Sequence, residues 1–81
     1  MNENFQELWN VCLKIIHDNI GDEKFDTWFK CAKAVSYQDD VLTLELPSMF
    51  YKEQYEEKFY EILRMSLQRV FGKEIKLVYN V

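Results

Sequence analysis

Glycine and proline are scarce in this chain, whose 81 residues include two glycines and one proline. Because both residues interrupt regular structure, their scarcity favours long helices and strands joined by few loops. The chain also has one histidine and two cysteines, without a Cys-x-x-Cys pair. These are too few ligands for a closed zinc site and too few cysteines for a disulfide framework, so we expect reduced thiols in a cytoplasmic protein.

Membrane and export signals are missing from the sequence as well. No apolar run approaches the length that crosses a bilayer, and the N-terminus lacks the basic and then apolar pattern of a signal peptide. A net charge of −4 does not favour binding of nucleic acid by this domain alone. The length predicts one small domain, spanning residues 1–81. Because the membrane signals are missing, we expect no membrane partner.

Helical periodicity marks three segments of the chain. Residues 4–20 are predicted as the first helix, and a short second helix is predicted after Gly21. A long third helix is predicted from Ser48, a favourable N-cap, to Phe71, with Gly72 as its left-handed stop. The apolar stripe of the first helix consists of Phe5, Leu8, Trp9, Cys12, Leu13, Ile16 and Ile20.

A period of two replaces the helical period between the second and third helices and again at the end of the chain. Residues 34–37 and 41–46 are predicted as a hairpin around the turn Gln38-Asp39-Asp40. Residues 75–81 are predicted as a third strand, and Val78 on its polar face favours a covered or central position. The alternating apolar residues of these strands are Val35, Tyr37, Leu42, Leu44, Leu46, Ile75, Leu77, Tyr79 and Val81.

The predicted fold class is therefore α+β, with three helices packed on a three-stranded sheet in the order α-α-β-β-α-β. This layout is KH-like, and RNA-binding KH domains clamp the nucleic-acid backbone with a GXXG loop. Here Gly21 is followed by Asp22-Glu23-Lys24, so the second glycine is missing. A weak, salt-sensitive contact through lysines is the form of nucleic-acid binding that stays open.

Catalysis has little support from the residues. His17 lies on the polar side of the first helix and Cys12 on its apolar face, so a core cysteine and a solvated histidine are favoured over a catalytic dyad. The carboxylates of the third helix interleave with basic residues, which is typical of a solvated helix face. No glycine-rich phosphate motif is present, so we expect no enzyme activity and no cofactor here.

Partner binding has better support. In a regular third helix Phe50 falls almost opposite the apolar stripe, so it is either folded back or exposed. An exposed Phe50 would form, with Met49, a small apolar patch near the start of the second helix. Trp28 has a helical spacing more typical of a core residue than of a contact residue. Three apolar residues widen the stripe of the first helix into a self-association face, unless the sheet covers them: Trp9, Val11 and Ile15.

Several blocks of sequence resemble one family. They are Leu8-Trp9 with Leu13 and Ile16, Phe25-Asp26-Thr27-Trp28-Phe29, Leu42-Thr43-Leu44 with Pro47-Ser48-Met49-Phe50, and Phe71-Gly72-Lys73-Glu74-Ile75. In order and spacing they resemble domain I, the N-terminal domain, of the bacterial replication initiator DnaA. The resemblance implies a domain excised from a longer chain that continues with a linker, an AAA+ ATPase domain that binds ATP, and a DNA-binding domain.

The resemblance also implies partners. Domain I of this family self-associates, binds the replicative DNA helicase and small replication regulators, and touches single-stranded DNA weakly. By position, it assigns self-association to Leu8 and Trp9. Together with Met49, which the helical pattern places beside Phe50, the predicted partner-binding residues are Glu23, Lys24, Thr27, Trp28, Met49 and Phe50.

The sequence departs from the family pattern at three positions. Lys24 stands where some members carry a glutamate that matters for helicase contact, so charge-pairing rules do not transfer. Ser48 replaces the usual asparagine after the proline, and Cys31 replaces a proline after the second helix. We expect a non-enzymatic interaction module that helps to load the helicase at the chromosomal origin. The alternatives are a KH-like, weak single-stranded nucleic-acid-binding domain and a small thiol enzyme.

Overall fold

The computed structural model describes residues 4–81, which form four helices and one three-stranded sheet. This α+β architecture confirms the predicted fold class, with the predicted third helix present as two shorter helices. The elements are α1 (Phe5–Ile20), α2 (Asp22–Trp28), β1 (Lys33–Gln38), β2 (Val41–Glu45), α3 (Met49–Glu57), α4 (Tyr60–Phe71) and β3 (Lys76–Asn80).

The break between α3 and α4 occurs without glycine or proline. The N–H groups of Lys58 and Phe59 both donate to the carbonyl oxygen of Gln54, at 2.8 and 3.2 Å, so the last turn of α3 widens. Phe59 then leaves the helical region at φ −109° and ψ 8° and directs its side chain into the core, where it is 7% exposed. The prediction of one continuous helix up to Phe71 is therefore wrong. The sequence did not reveal the break, because the apolar spacing continues through it.

The sheet has the order β1-β2-β3, with β1 antiparallel and β3 parallel to the central strand β2. The predicted turn is confirmed: Asp39 and Asp40 have φ values of 54° and 64°, as a tight hairpin turn requires. The expected covered or central position of the third strand is wrong. β3 lies at an edge of the sheet, and Val78 is 39% exposed.

A register shift in β1 changes which of its side chains face the core. The shift lies between Ala34 and Ser36, so Ala34 and Tyr37 both face inward although an even alternation would separate them. Val35 is 43% exposed, contrary to the expectation that it shares the buried face with Tyr37.

The core joins one face of each helix to the inner face of the sheet. Its most completely buried side chains are Trp9, Tyr55, Phe29, Ile16, Leu42, Leu44, Leu63, Leu67, Cys12 and Ser66. Ser66 is the small residue at the contact of α1 with α4: its carbonyl oxygen lies 3.7 Å from Cys12 Sγ, and its hydroxyl donates to the Leu63 carbonyl oxygen at 3.1 Å.

The joint between α1 and α2 rests on Gly21, whose φ of 90° favours glycine. His17 bridges the joint, because its ring stacks on Phe25 with centroids 4.4 Å apart and its Nε2 hydrogen-bonds with Asp22. The histidine expected to be solvated is therefore partly buried, and it links the two helices.

We predict that Ser66→Leu destabilises the domain by about 1–3 kcal/mol, because α1 and α4 leave no room for extra methylene groups. Ser66→Ala loses only a hydrogen bond within its own helix, so it should change the free energy of unfolding by less than about 1 kcal/mol. Urea denaturation of both variants measures the difference. Equal stability of the two variants would show that the helices are not in close contact at this position.

We also predict that stability falls as the pH rises above about 9. Burial raises the pKa of the Cys12 thiol from 9.0 to about 12, so the unfolded chain loses this proton at lower pH than the folded one. This contribution is fully present below pH 9 and is lost towards pH 12, at up to about 1.4 kcal/mol per pH unit. Cys12→Ala should flatten the slope of unfolding free energy against pH from 9 upward, and urea denaturation at several pH values measures this slope.

Candidate interaction surface

Aromatic rings from α2, α3 and the break after α3 meet around Trp28, the last residue of α2. The Trp28 ring lies 5.6 Å from that of Phe50, 5.1 Å from that of Tyr51 and 6.3 Å from that of Phe59, measured between centroids. Beneath them, Phe29 stacks on Tyr55 at 4.7 Å. These contacts join two helices that are separated in sequence by the β-hairpin.

A single hydrogen bond aligns this cluster. The Tyr55 hydroxyl donates to the carbonyl oxygen of Trp28 at 2.8 Å, across 27 residues of sequence. The Tyr55 side chain is fully buried, and this burial, more than any neighbouring group, raises the pKa of its hydroxyl. The phenol therefore remains a neutral donor that holds the end of α2 against α3.

The first turn of α3 presents two apolar side chains to solvent. Ser48 occupies the N-cap position in an extended conformation, without a side-chain capping bond, and the helix begins at Met49. Met49 is 55% and Phe50 57% exposed, so the exposed alternative for Phe50 is the observed one. We call Trp28, Met49 and Phe50 the aromatic surface. It lies at the end of α2, not near its start as the sequence had suggested.

Trp28 itself is intermediate between core and surface. Its ring packs against the core and also contacts the exposed Phe50, so the sequence-based preference for a core role describes only part of its environment. The remaining predicted partner-binding residues, Glu23, Lys24 and Thr27, are exposed on α2. The Thr27 hydroxyl donates to the Glu23 carbonyl oxygen at 3.0 Å, and Lys24 precedes Trp28 by one helical turn.

Ion pairs border this region. Lys30 lies 3.5 Å from Asp26 on the α2 side, and Lys52 lies 3.7 Å from Glu56 on α3. Within residues 4–81 neither Glu23 nor Lys24 belongs to an ion pair between side chains. The arrangement of an apolar centre with a charged border is typical of surfaces that bind other proteins.

Trp9, one of the two residues predicted for self-association, lies in the core. Its side chain is 2% exposed and belongs to the core, because Trp9 lies on the same face of α1 as Cys12 and Ile16. The Trp9 side chain therefore offers little surface in the folded monomer, and the self-association assigned to Leu8 and Trp9 stays a prediction. Leu8 is partly buried, whereas Val11 is 47% exposed on the outer side of α1.

The candidate catalytic residues Cys12 and His17 have different partners: Cys12 Sγ contacts the Ser66 carbonyl oxygen, and His17 Nε2 hydrogen-bonds with Asp22. Cys12 is fully buried with a raised pKa, so its thiol is neutral and inaccessible at neutral pH. In the part of the chain that the structure describes, no group of three or more His, Cys, Asp or Glu side chains is placed to hold a metal ion. Across those same residues, none of the helices has the length and apolar character needed to cross a membrane.

These features define a small α+β domain whose most distinctive surface is aromatic and exposed. Comparison with known proteins agrees with the resemblance seen in the sequence: the family model described as the DnaA N-terminal domain matches residues 6–69. The chain belongs to this family.

Three relatives carry the name chromosomal replication initiator protein DnaA. The one from Bacteroides thetaiotaomicron is 40% identical over 81 residues, which cover 100% of this chain and 17% of the relative. That from Bacteroides fragilis is 43% identical over 74 residues, which cover 91% of this chain and 16% of the relative. That from Flavobacterium psychrophilum is 36% identical over 81 residues, which cover 100% of this chain and 17% of the relative. The chain thus spans about a sixth of the length of these relatives.

We predict that Tyr55→Phe lowers the free energy of unfolding by about 1–2 kcal/mol, because the partly buried carbonyl oxygen of Trp28 loses its donor. Tyr60→Phe is the matched control, since Tyr60 is 54% exposed. Urea denaturation followed by tryptophan fluorescence measures both variants. If Tyr55→Phe behaved like the control, this hydrogen bond would not fix the end of α2.

Proposed function

We propose that this domain is a protein-interaction module of a replication initiator in the cytoplasm, and that it recruits the replicative DNA helicase to the chromosomal origin. The observation that carries the proposal is the exposed Phe50 ring resting on Trp28, within a surface that the Tyr55 hydrogen bond holds in place. Small replication regulators are proposed as further partners of the same surface.

The binding energy would come from a few apolar side chains. Aromatic residues at the centre of an interface often dominate its affinity, and the surrounding residues mainly exclude water. Phe50 and Met49 provide the apolar centre, and the exposed residues of α2, Glu23, Lys24 and Thr27, provide the polar border. Lys24 gives this border a cation, so the partner surface would differ in charge from that used by family members with glutamate there.

Weak individual binding suits this role. Initiators assembled side by side on origin DNA would present many copies of the domain, and tethering raises the effective concentration of each copy. Self-association of the domain would add to this effect, with the Leu8 side of α1 as its expected surface. The proposal assigns no enzymatic activity or cofactor to this domain; ATP binding would belong to another part of the longer protein.

The single-stranded nucleic-acid alternative has less support. Such a binder would need aromatic rings on an exposed sheet face for bases to stack on. The two tyrosines of the sheet, Tyr37 and Tyr79, instead pack against the core. The net charge of −4 also opposes a phosphate backbone.

We predict that Phe50→Ala weakens helicase binding at least about tenfold. Tyr60→Ala is the matched control, because Tyr60 has a similar exposure, 54% against 57%, but lies on α4. Surface plasmon resonance with the helicase of the same cell measures both variants, and urea denaturation checks that both are folded. Equal binding of the two variants would overturn the proposed surface. Salt-sensitive binding of single-stranded DNA without helicase binding would instead favour the alternative function.

A further inference from the structure

The two edges of the sheet differ in how they are protected. An edge strand exposes unpaired backbone groups, and proteins usually block such edges with bulges, prolines or charges. β1 has the register shift between Ala34 and Ser36 and begins with Lys33. β3 likewise begins with one lysine, Lys76, but it pairs with β2 in unbroken register, so the register shift is the protection that it lacks. β3 is therefore the less protected edge.

The backbone groups at the free edge of β3 can be identified from the hydrogen bonds on its other side. The Lys76 N–H donates to the Asp40 carbonyl oxygen and the Asn80 carbonyl oxygen accepts from the Leu46 N–H, both at 2.9 Å. Because successive residues of a strand direct these groups to opposite edges, those of Leu77 and Tyr79 point away from β2. Two residues thus offer two donors and two acceptors to a further strand.

We propose that the free edge of β3 is a self-association surface, where two copies of this chain pair antiparallel about a two-fold axis at Val78. In this register Leu77 of each copy lies opposite Tyr79 of the other and exchanges both backbone hydrogen bonds with it. Val78 lies opposite Val78, and Lys76 lies opposite Asn80. No like charges face each other, and two of these pairings are apolar, which is the pattern that stabilises antiparallel strands.

The groove beside this edge is consistent with such pairing. It has a volume of about 520 Å³ and separates β3 from α4, with Tyr60, Leu63, Leu77 and Tyr79 among its lining residues. Tyr60 is 54% exposed there. An added strand would place its own Leu77 and Tyr79 on the same side of the extended sheet, next to the mouth of the groove.

The size and charge of the contact predict a weak dimer. A five-residue edge is roughly 17 Å long, so the buried area falls below the ~1,200–2,000 Å² of stable interfaces. Each copy carries a net charge of −4, so the dimer should tighten as salt screens the repulsion. This inference rests on the self-association part of the proposed function, and it replaces the surface expected there, the Leu8 side of α1, with the free edge of β3. It is independent of helicase binding.

Sedimentation velocity of the 81-residue chain over a range of concentrations, at low and high salt, tests the proposal. We expect Val78→Lys to weaken self-association roughly tenfold or more, because like charges then meet at the two-fold axis. Val35→Lys is the matched control: it makes the same change at a valine of similar exposure, 43% against 39%, on the other edge strand. An equimolar mixture of Val78→Lys with Val78→Glu should restore association.

Amide hydrogen exchange reports directly on the proposed backbone hydrogen bonds between the β3 strands of two copies. Exchange at Leu77 and Tyr79 should slow as the concentration of the wild-type chain rises. If association survives Val78→Lys but is lost in Val11→Lys, the surface lies on α1, and this inference fails while self-association stands. If the chain stays monomeric at every concentration, self-association and its β3 surface both fail, and helicase binding is still decided by the Phe50 variant.

Discussion

The hydrogen bond from the Tyr55 hydroxyl to the Trp28 carbonyl oxygen is the constraint on which the arrangement of the aromatic surface depends. A fully buried phenol needs a partner, and this one finds it at the end of a helix 27 residues earlier. Because Trp28 is held there, its ring contacts the first turn of α3. The exposed Phe50 thereby rests on a rigid ring and does not project alone into solvent.

The break after α3 separates two helices that pack on different elements. A straight helix from Ser48 to Phe71 would be roughly 35 Å long at 1.5 Å per residue, about the domain's longest extent of 33 Å. With the break at Phe59, α3 packs its Tyr55 against α2 while α4 packs along α1. Phe59 itself closes the aromatic cluster, with its ring 5.1 Å from that of Phe29. One widened turn thus lets the two halves of the predicted helix serve different partners.

Local patterns predicted much of this fold because each acts within a few residues. The periodicity of α1, the turn at Asp39-Asp40 and the left-handed Gly72 all depend on near neighbours, and all appear in the structure. Phe50 was recognisable because it falls off the helical stripe, and it is exposed. The family relationship was likewise visible in short blocks of sequence, since their order and spacing are properties of the chain alone.

The remaining features depend on contacts between distant segments. The edge position of β3 follows from which strands pair, and the register shift at Val35 follows from how β1 meets β2. Trp9 belongs to a stripe wider than one contact needs, so its pattern did not distinguish a core residue from a surface one. Its burial is decided by the elements that cover α1. The Tyr55–Trp28 bond has no local signature at all.

The separation of the two proposed surfaces has a mechanistic consequence. The aromatic surface is built from α2 and the first turn of α3, whereas the proposed self-association edge is β3, and they share no residue. A copy paired through β3 would therefore keep Phe50 outside the pairing edge. Pairing two copies would join two weak helicase sites into one bivalent unit, whose affinity gains from effective concentration without any new contact to the helicase. A domain with a thin core and modest surfaces can thus act strongly in an assembly while each of its contacts remains readily reversible.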